Sequence, residues 1–278
     1  MILTEKSSLK RFAEHLRERE KSPTTVQKYL RDVKSFLTFA KGRKIGKSDV
    51  MEYKEGLTLR YAVSSANSML AALNSYFRFC RREELCVRQF RLQKSAYRDA
   101  GRELTREEYG RLVRAAEQGS GKRLSLAVQT ICGTGIRVSE LSFITVEAAR
   151  RGEATVSCKG KTRRIFIVRA LQKKLIRYAE EQGIVKGAIF ITRGGKPLDR
   201  SNIWREMKSL CDRAGVAPEK VYPHNLRHLF ARTFYGIEKD IAKLADILGH
   251  SSINTTRIYI ITTGEEHRRR MENMHLII

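Results

Sequence analysis

Between residues 91 and 103 the chain loses its apolar rhythm. The stretch RLQKSAYRDAGRE is polar and basic and has no sustained apolar face, so it is read as an interdomain linker. A length of 278 residues fits one large domain or two ordinary ones. A break here divides the chain into a unit at 1–90 and a longer unit at 104–278. A structured loop inside one domain is the alternative.

The segment before the break reads as helical. Ser22 and Pro23 form a helix start, with Ser as the cap and Pro in the first turn. Val26, Tyr29, Leu30, Val33, Phe36, Leu37 and Ala40 then recur at helical spacing, and Gly42 is expected to stop the run. Another helix is expected after Ser48. A third stripe runs through Met69, Leu70, Ala72, Leu73, Tyr76, Phe77 and Phe79 and ends near Cys80. These stripes predict a compact helical bundle.

The segment after the break is mixed. Thr105 followed by Glu108 has the spacing of a capping box, which predicts a helix to about Gln118. A second helix is expected from about Lys122 to Cys132, ending at Gly133-Thr134-Gly135. Ala154–Cys158 and Arg164–Val168 are β-prone, and Lys159-Gly160-Lys161-Thr162 between them supplies a turn, so a hairpin is expected. Helices are expected again at about 170–182 and 201–214, with a short apolar run at Ala188–Ile191, and the remainder is mostly helical. The fold class is therefore mainly α with a small β-sheet: a helical bundle followed by an α+β domain.

Charge narrows the partners. The chain carries 55 Lys and Arg against 30 Asp and Glu, a formal net charge of +25. Both halves share the excess, and self-repulsion at that charge points to a polyanionic partner. Charge alone does not separate DNA from RNA. No stretch approaches the roughly 18–20 apolar residues that span a bilayer, and the first residues have no apolar signal core, so a cytoplasmic protein without a membrane partner is expected. The five cysteines form no CxxC pair, which suggests free thiols in a reducing compartment. No cofactor is expected, and His224 and His228 have no nearby Cys or acidic residue in sequence, which argues against a zinc site.

Five local features bear chemistry. In Gly133–Leu141 the glycines allow a tight turn, and Arg137 falls at the start of the next helix, where a guanidinium can grip a phosphate with two parallel hydrogen bonds. Lys159 lies in the hairpin turn, with Lys161 as a rival. In His224-Asn225-Leu226-Arg227-His228, His224 and Arg227 stand three apart and share a helix face, which places a base beside a phosphate clamp; His228 is expected to point further round, about 100° from Arg227. Leu248-Gly249-His250 looks like a helix stop with His250 in the following turn. Tyr259, one of ten tyrosines, lies nine residues later within Thr255–Ile260.

The ordered set TGIRVSEL, CKGKTRR, HNLRH, LGH and INTTRIY resembles the tyrosine recombinase, or phage-integrase, family, Xer-like members included. The resemblance covers nearly the whole chain, and the order of the five motifs is far more specific than any one of them. It implies that residues 1–90 are a SAM-like, core-type DNA-binding domain and residues 104–278 the tyrosine-recombinase catalytic domain. By matching position, Arg137 and Arg227 resemble the two phosphate-clamping arginines and Lys159 the hairpin lysine. His224 matches the first histidine, His250 the position held by His or Trp, and Tyr259 the nucleophile. Leu229, after HNLRH, departs from the small hydroxyl residue common there.

A free phenol has a pKa of about 10 and is a poor nucleophile at neutral pH. His224 can accept its proton, Arg137, Arg227 and His250 can stabilise charge on the attacked phosphate, and Lys159 can protonate the departing 5′ oxygen. The implied product is a 3′-phosphotyrosyl DNA link and a free 5′ hydroxyl, and rejoining then needs no ATP. The implied partners are double-stranded DNA, three further copies in a homotetramer on two duplexes, and accessory DNA-bending or directionality proteins. Integration, excision, inversion and resolution all remain open as outcomes. The lack of an evident extra N-terminal arm domain suggests a minimal, Xer-like or simple mobile-element recombinase. The competing readings are a type IB topoisomerase, a non-catalytic DNA-binding protein on the same scaffold, and an RNA-binding protein.

Overall fold

The computed structural model describes residues 6–40, 44–91, 100–158, 161–260, 268–269 and 271–274. The chain divides into two compact units, 1–94 and 95–278. Most of the segment read as a linker, residues 92–99, lies outside the described residues, as does Gly42.

The first unit holds four helices: α1 (Lys6–Glu18), α2 (Pro23–Ala40), α3 (Lys47–Arg60) and α4 (Val63–Phe79). The start of α2 follows the sequence expectation: the Ser22 hydroxyl accepts the Thr25 N–H at 3.3 Å, and Pro23 needs no acceptor there. Helix α3 begins slightly before the expected point, because the Asp49 carboxylate takes the Gly46 N–H at 2.8 Å and anchors the first turn. The two apolar stripes of the sequence supply Val33, Phe36, Leu70, Leu73, Tyr76 and Phe77 to the core, and Phe12 of α1 and Leu57 of α3 join them, all buried. Phe36 meets the edges of Tyr53 and Phe77 at ring separations of 5.1 and 5.7 Å.

The second unit opens with the anticipated capping box. Thr105 Oγ1 accepts the Glu108 N–H at 3.1 Å, and the Glu108 carboxylate accepts the Thr105 N–H at 2.8 Å. Helix α5 (Arg106–Ala115) follows, then a π-turn over Ala116–Ser120, and then α6 (Lys122–Thr134). Gly135 ends α6 with φ of +67°, a left-handed turn. After a 3₁₀ turn at Val138–Phe143 come α7 (Val146–Arg151) and an antiparallel hairpin of β1 (Glu153–Cys158) and β2 (Lys161–Phe166). The ladder runs from Glu153↔Phe166 to Cys158↔Lys161. The second strand therefore starts three residues earlier than its apolar content indicates, and Lys161 is a strand residue.

Helix α8 (Arg169–Glu181) follows the hairpin. The helix expected over 201–214 is two pieces, α9 (Arg200–Lys208) and α10 (Cys211–Ala214). The Ser209 hydroxyl donates back to the Glu206 carbonyl at 2.9 Å, and the Leu210 N–H shortens its bond to Met207, which breaks the ladder. The run Ala188–Ile191 makes two isolated bridges, Thr145↔Ala188 and Ile191↔Pro197, instead of a strand. The chain continues through α11 (Pro223–Glu238), α12 (Ile241–Leu248) and α13 (Ile253–Ile260). Helix α11 packs on α6, and α12 and α13 pack on α11. No helix among the described residues is long and apolar enough to cross a membrane.

Candidate active site

Three local devices bring the site together. The left-handed turn at Gly135 delivers Arg137 beside α11, the first two turns of α11 carry His224, Arg227 and His228, and the left-handed stop at Gly249 (φ of +65°) sets His250 after α12. Tyr259 lies on α13 and is 4% exposed. It closes a small apolar cluster with Ala231, Leu244 and Leu248.

Among the described residues Arg227 is the most enclosed cation, at 1% exposure. Its Nη1 donates to the Gly135 carbonyl at 2.5 Å and its Nη2 to the Leu248 carbonyl at 2.7 Å. Nη2 also lies 3.0 Å from His250 Nε2. Burial, and then the neighbouring charge of Arg137, pull its pKa down to about 10, against the upward pull of the Tyr259 phenol, so it stays charged at neutral pH. Its Nε–H has no acceptor among the described residues.

A guanidinium only donates, so His250 Nε2 is an acceptor here, and the ring proton sits on Nδ1, which donates to Thr256 Oγ1 at 2.8 Å. Burial first, then Arg227, Arg137 and Arg163, lower the pKa of this imidazole to about 4. His250 is thus a neutral ring held between Arg227 and Thr256. Both of its ring nitrogens are engaged within the protein.

Tyr259 is ringed by histidines. Its hydroxyl lies 3.3 Å from His224 Nε2. The His228 ring centre is 4.3 Å from the phenol ring, and the His250 ring stacks on it at 5.4 Å. The expectation that His228 points away rests on its angle from Arg227, and the structure corrects it. On a helix of about 3.6 residues per turn His228 is only about 40° from His224, and the two rings meet at 4.9 Å. His228 belongs to the cluster.

Arg137 follows Gly135 into a 3₁₀ turn instead of an α-helix. Glu140, 1% exposed, holds it there: its Oε2 accepts the Arg137 backbone N–H at 2.7 Å and its Oε1 accepts Nη1 at 3.0 Å. The same carboxylate accepts both terminal nitrogens of Arg163, from β2, at 2.9 and 2.6 Å. Burial pushes the Glu140 carboxyl up, but the hydrogen bonds from Arg163 and Arg137 outweigh it and hold the group below the usual carboxylate range. Lys159 lies outside the described residues, and so does the side chain of Lys161.

Of the six residues singled out in the sequence, the structure therefore gathers Arg137, His224, Arg227, His250 and Tyr259. It adds Glu140, Arg163, Thr256 and His228. Two of these had a readable signal: Glu140 in its i,i+3 spacing from Arg137, and His228 in its i,i+4 spacing from His224. Among the described residues no three His, Cys, Asp or Glu gather in a way that could hold a metal ion. A buried guanidinium, a second one half-exposed, and a histidine on a phenol hydroxyl make a site suited to covalent phosphoryl transfer by tyrosine.

Known proteins are similar to this chain over most of its length. The profile of the Phage integrase family matches residues 102–266, and that of the phage integrase N-terminal SAM-like domain matches residues 9–84. Tyrosine recombinase XerA of Thermococcus kodakarensis is 30% identical over 278 residues, covering 97% of this chain and 95% of that protein. A crystal structure of XerA recombinase superposes with a TM-score of 0.54 at 26% identity over 98% of both chains. A lambda integrase tetramer bound to a Holliday junction shares the fold, with a TM-score of 0.73 at 22% identity over 91% of this chain and 76% of that one. The chain belongs to the phage integrase family. It is a tyrosine recombinase, an enzyme of site-specific DNA recombination.

Proposed function

We propose that this recombinase cuts and rejoins double-stranded DNA through Tyr259. The phenol oxygen attacks the phosphorus, the P–O5′ bond breaks, and a 3′-phosphotyrosyl link and a 5′ hydroxyl result. His224 takes the phenol proton, and Lys159 supplies one to the departing 5′ oxygen. Arg137 and Arg227 hold the non-bridging oxygens, and His250 fixes Arg227. The observation that carries this reading is the 3.3 Å contact of the Tyr259 hydroxyl with His224 Nε2, beside a guanidinium seated by main-chain carbonyls. The buried, unused Nε–H of Arg227 supports it as well.

Residues 1–90 serve as the core-type DNA-binding domain and 104–278 as the catalytic domain, joined by 91–103. The working form is a homotetramer on two duplexes, aided by accessory DNA-bending or directionality proteins. The basic excess in both halves of the chain supports the DNA-binding part of this reading. The test starts from duplexes selected by binding out of a random-sequence pool, then nicked to trap the intermediate. The native chain should form a protease-sensitive DNA adduct, and Tyr259→Phe should bind equally and form none. An adduct with the Phe variant removes Tyr259 from the role.

A further inference from the structure

Arg163 is absent from the set of residues that the chemistry above uses, yet it touches three of the elements that build the site. Its two terminal nitrogens grip Glu140 at 2.9 and 2.6 Å. Its Nε donates to the Ile247 carbonyl at 3.2 Å, one residue before the Leu248 carbonyl that seats Arg227. Its stem fills the space over Gly249, where an added methyl would lie 2.7 Å from Arg163 Cδ. It sits on β2 inside the ladder, paired with Val156 and two residues in from the ladder's end at Lys161.

The charge balance around Glu140 decides what this does. The carboxylate is buried and faces two guanidiniums. If Arg137 were its sole partner, the pair would be neutral and Arg137 would be bound to the protein instead of a phosphate. Arg163, only 12% exposed at its side chain, covers both carboxylate oxygens. The hydrogen bonds of Arg137 among the described residues then use only Nη1 of its guanidinium. The trio keeps one net positive charge, and that charge stands on the more exposed arginine.

We infer that Arg163 is a positioning residue of the recombination reaction: it neutralises Glu140 so that Arg137 is held in place yet left free to bind the scissile phosphate, and it locks the end of α12 that seats Arg227. This rests on the function proposed above.

The assay is the rate of adduct formation on the nicked, selected duplex at saturating protein, with DNA affinity measured separately by gel shift. Arg163→Met should slow adduct formation by ~100-fold, the size of effect that misplaced reacting groups produce, while the Kd for DNA changes by less than ~3-fold. Arg163→Lys, which keeps the charge, should stay within ~10-fold of the native rate. The deciding variant is Arg163→Met combined with Glu140→Gln. With the carboxylate gone, Arg137 is no longer claimed by it, and the double variant should be at least ~10-fold faster than Arg163→Met alone, a coupling that independent or purely structural effects do not give. If Arg163→Met does not fold, Arg163→Gln with and without Glu140→Gln makes the same comparison. An Arg163→Met rate within ~2-fold of native, or a double variant no faster than the single one, overturns the inference. The native chain and Tyr259→Phe run alongside: no adduct from the native chain, or an adduct from Tyr259→Phe, refutes the function proposed above, whereas a native adduct that is indifferent to Arg163 refutes only the role of Arg163.

Discussion

Protonating His250 should cost the catalytic unit stability in a defined pH window. In the folded chain its imidazole titrates at about 4, lowered by burial and by Arg227, Arg137 and Arg163; in the unfolded chain it titrates near 6.5. As pH falls below about 6.5 the unfolded chain takes up a proton that the folded chain refuses until about pH 4. Stability is therefore complete above the unfolded value and is lost across this interval. Each pH step of one between the two values removes about 1.36 kcal/mol, so the loss between about pH 7 and about pH 4.5 is ~2 kcal/mol. Other groups also titrate there, so the informative quantity is the difference from His250→Gln, whose amide can accept from Arg227 and donate to Thr256 without titrating. Denaturant unfolding followed by the fluorescence of Trp204, the chain's single tryptophan and part of the second unit, reads that unit directly. The native protein should lose ~2 kcal/mol more than the variant on acidification. Parallel stability curves for the two proteins would refute the half-buried, neutral, accepting state assigned to His250.

Two further outcomes follow from the same geometry. Arg227→Ala should lower the rate of adduct formation by ~100-fold or more, since it removes a fixed donor to transition-state charge; adduct kinetics at saturating protein check this, and a normal rate would contradict the clamp. Gly135→Ala should destabilise the second unit by ~2–4 kcal/mol, because φ is +67° there and the new methyl would lie 2.4 Å from Phe230 Cδ1; a denaturation midpoint unchanged from native would show that Phe230 moves aside freely.

What the sequence disclosed was what is local or ordered. The Thr105–Glu108 box, the hairpin, the Gly135 and Gly249 stops and the order of the five motifs all depend on spacing over a few residues. What it hid depends on pairing over distance. Glu140 and Arg163 are 23 residues apart, and nothing in either segment alone announces the other. His228 escapes notice when its angle is measured from Arg227, because the neighbour that matters is His224. The tautomer of His250 could not be read because it is set by Arg227 and Thr256 together. The division of the helix over 201–214 hinges on one serine hydroxyl competing for a carbonyl.

The seat of Arg227 is made largely of peptide carbonyls, those of Gly135 and Leu248. Every residue type offers a carbonyl, so side chains at such places can drift without unseating the guanidinium. What cannot drift is the path of the main chain that aims those oxygens. The vulnerability of this centre to mutation therefore lies less in the chemical identity of the residues around the arginine than in the two left-handed turns, at Gly135 and Gly249, that bend the backbone toward it.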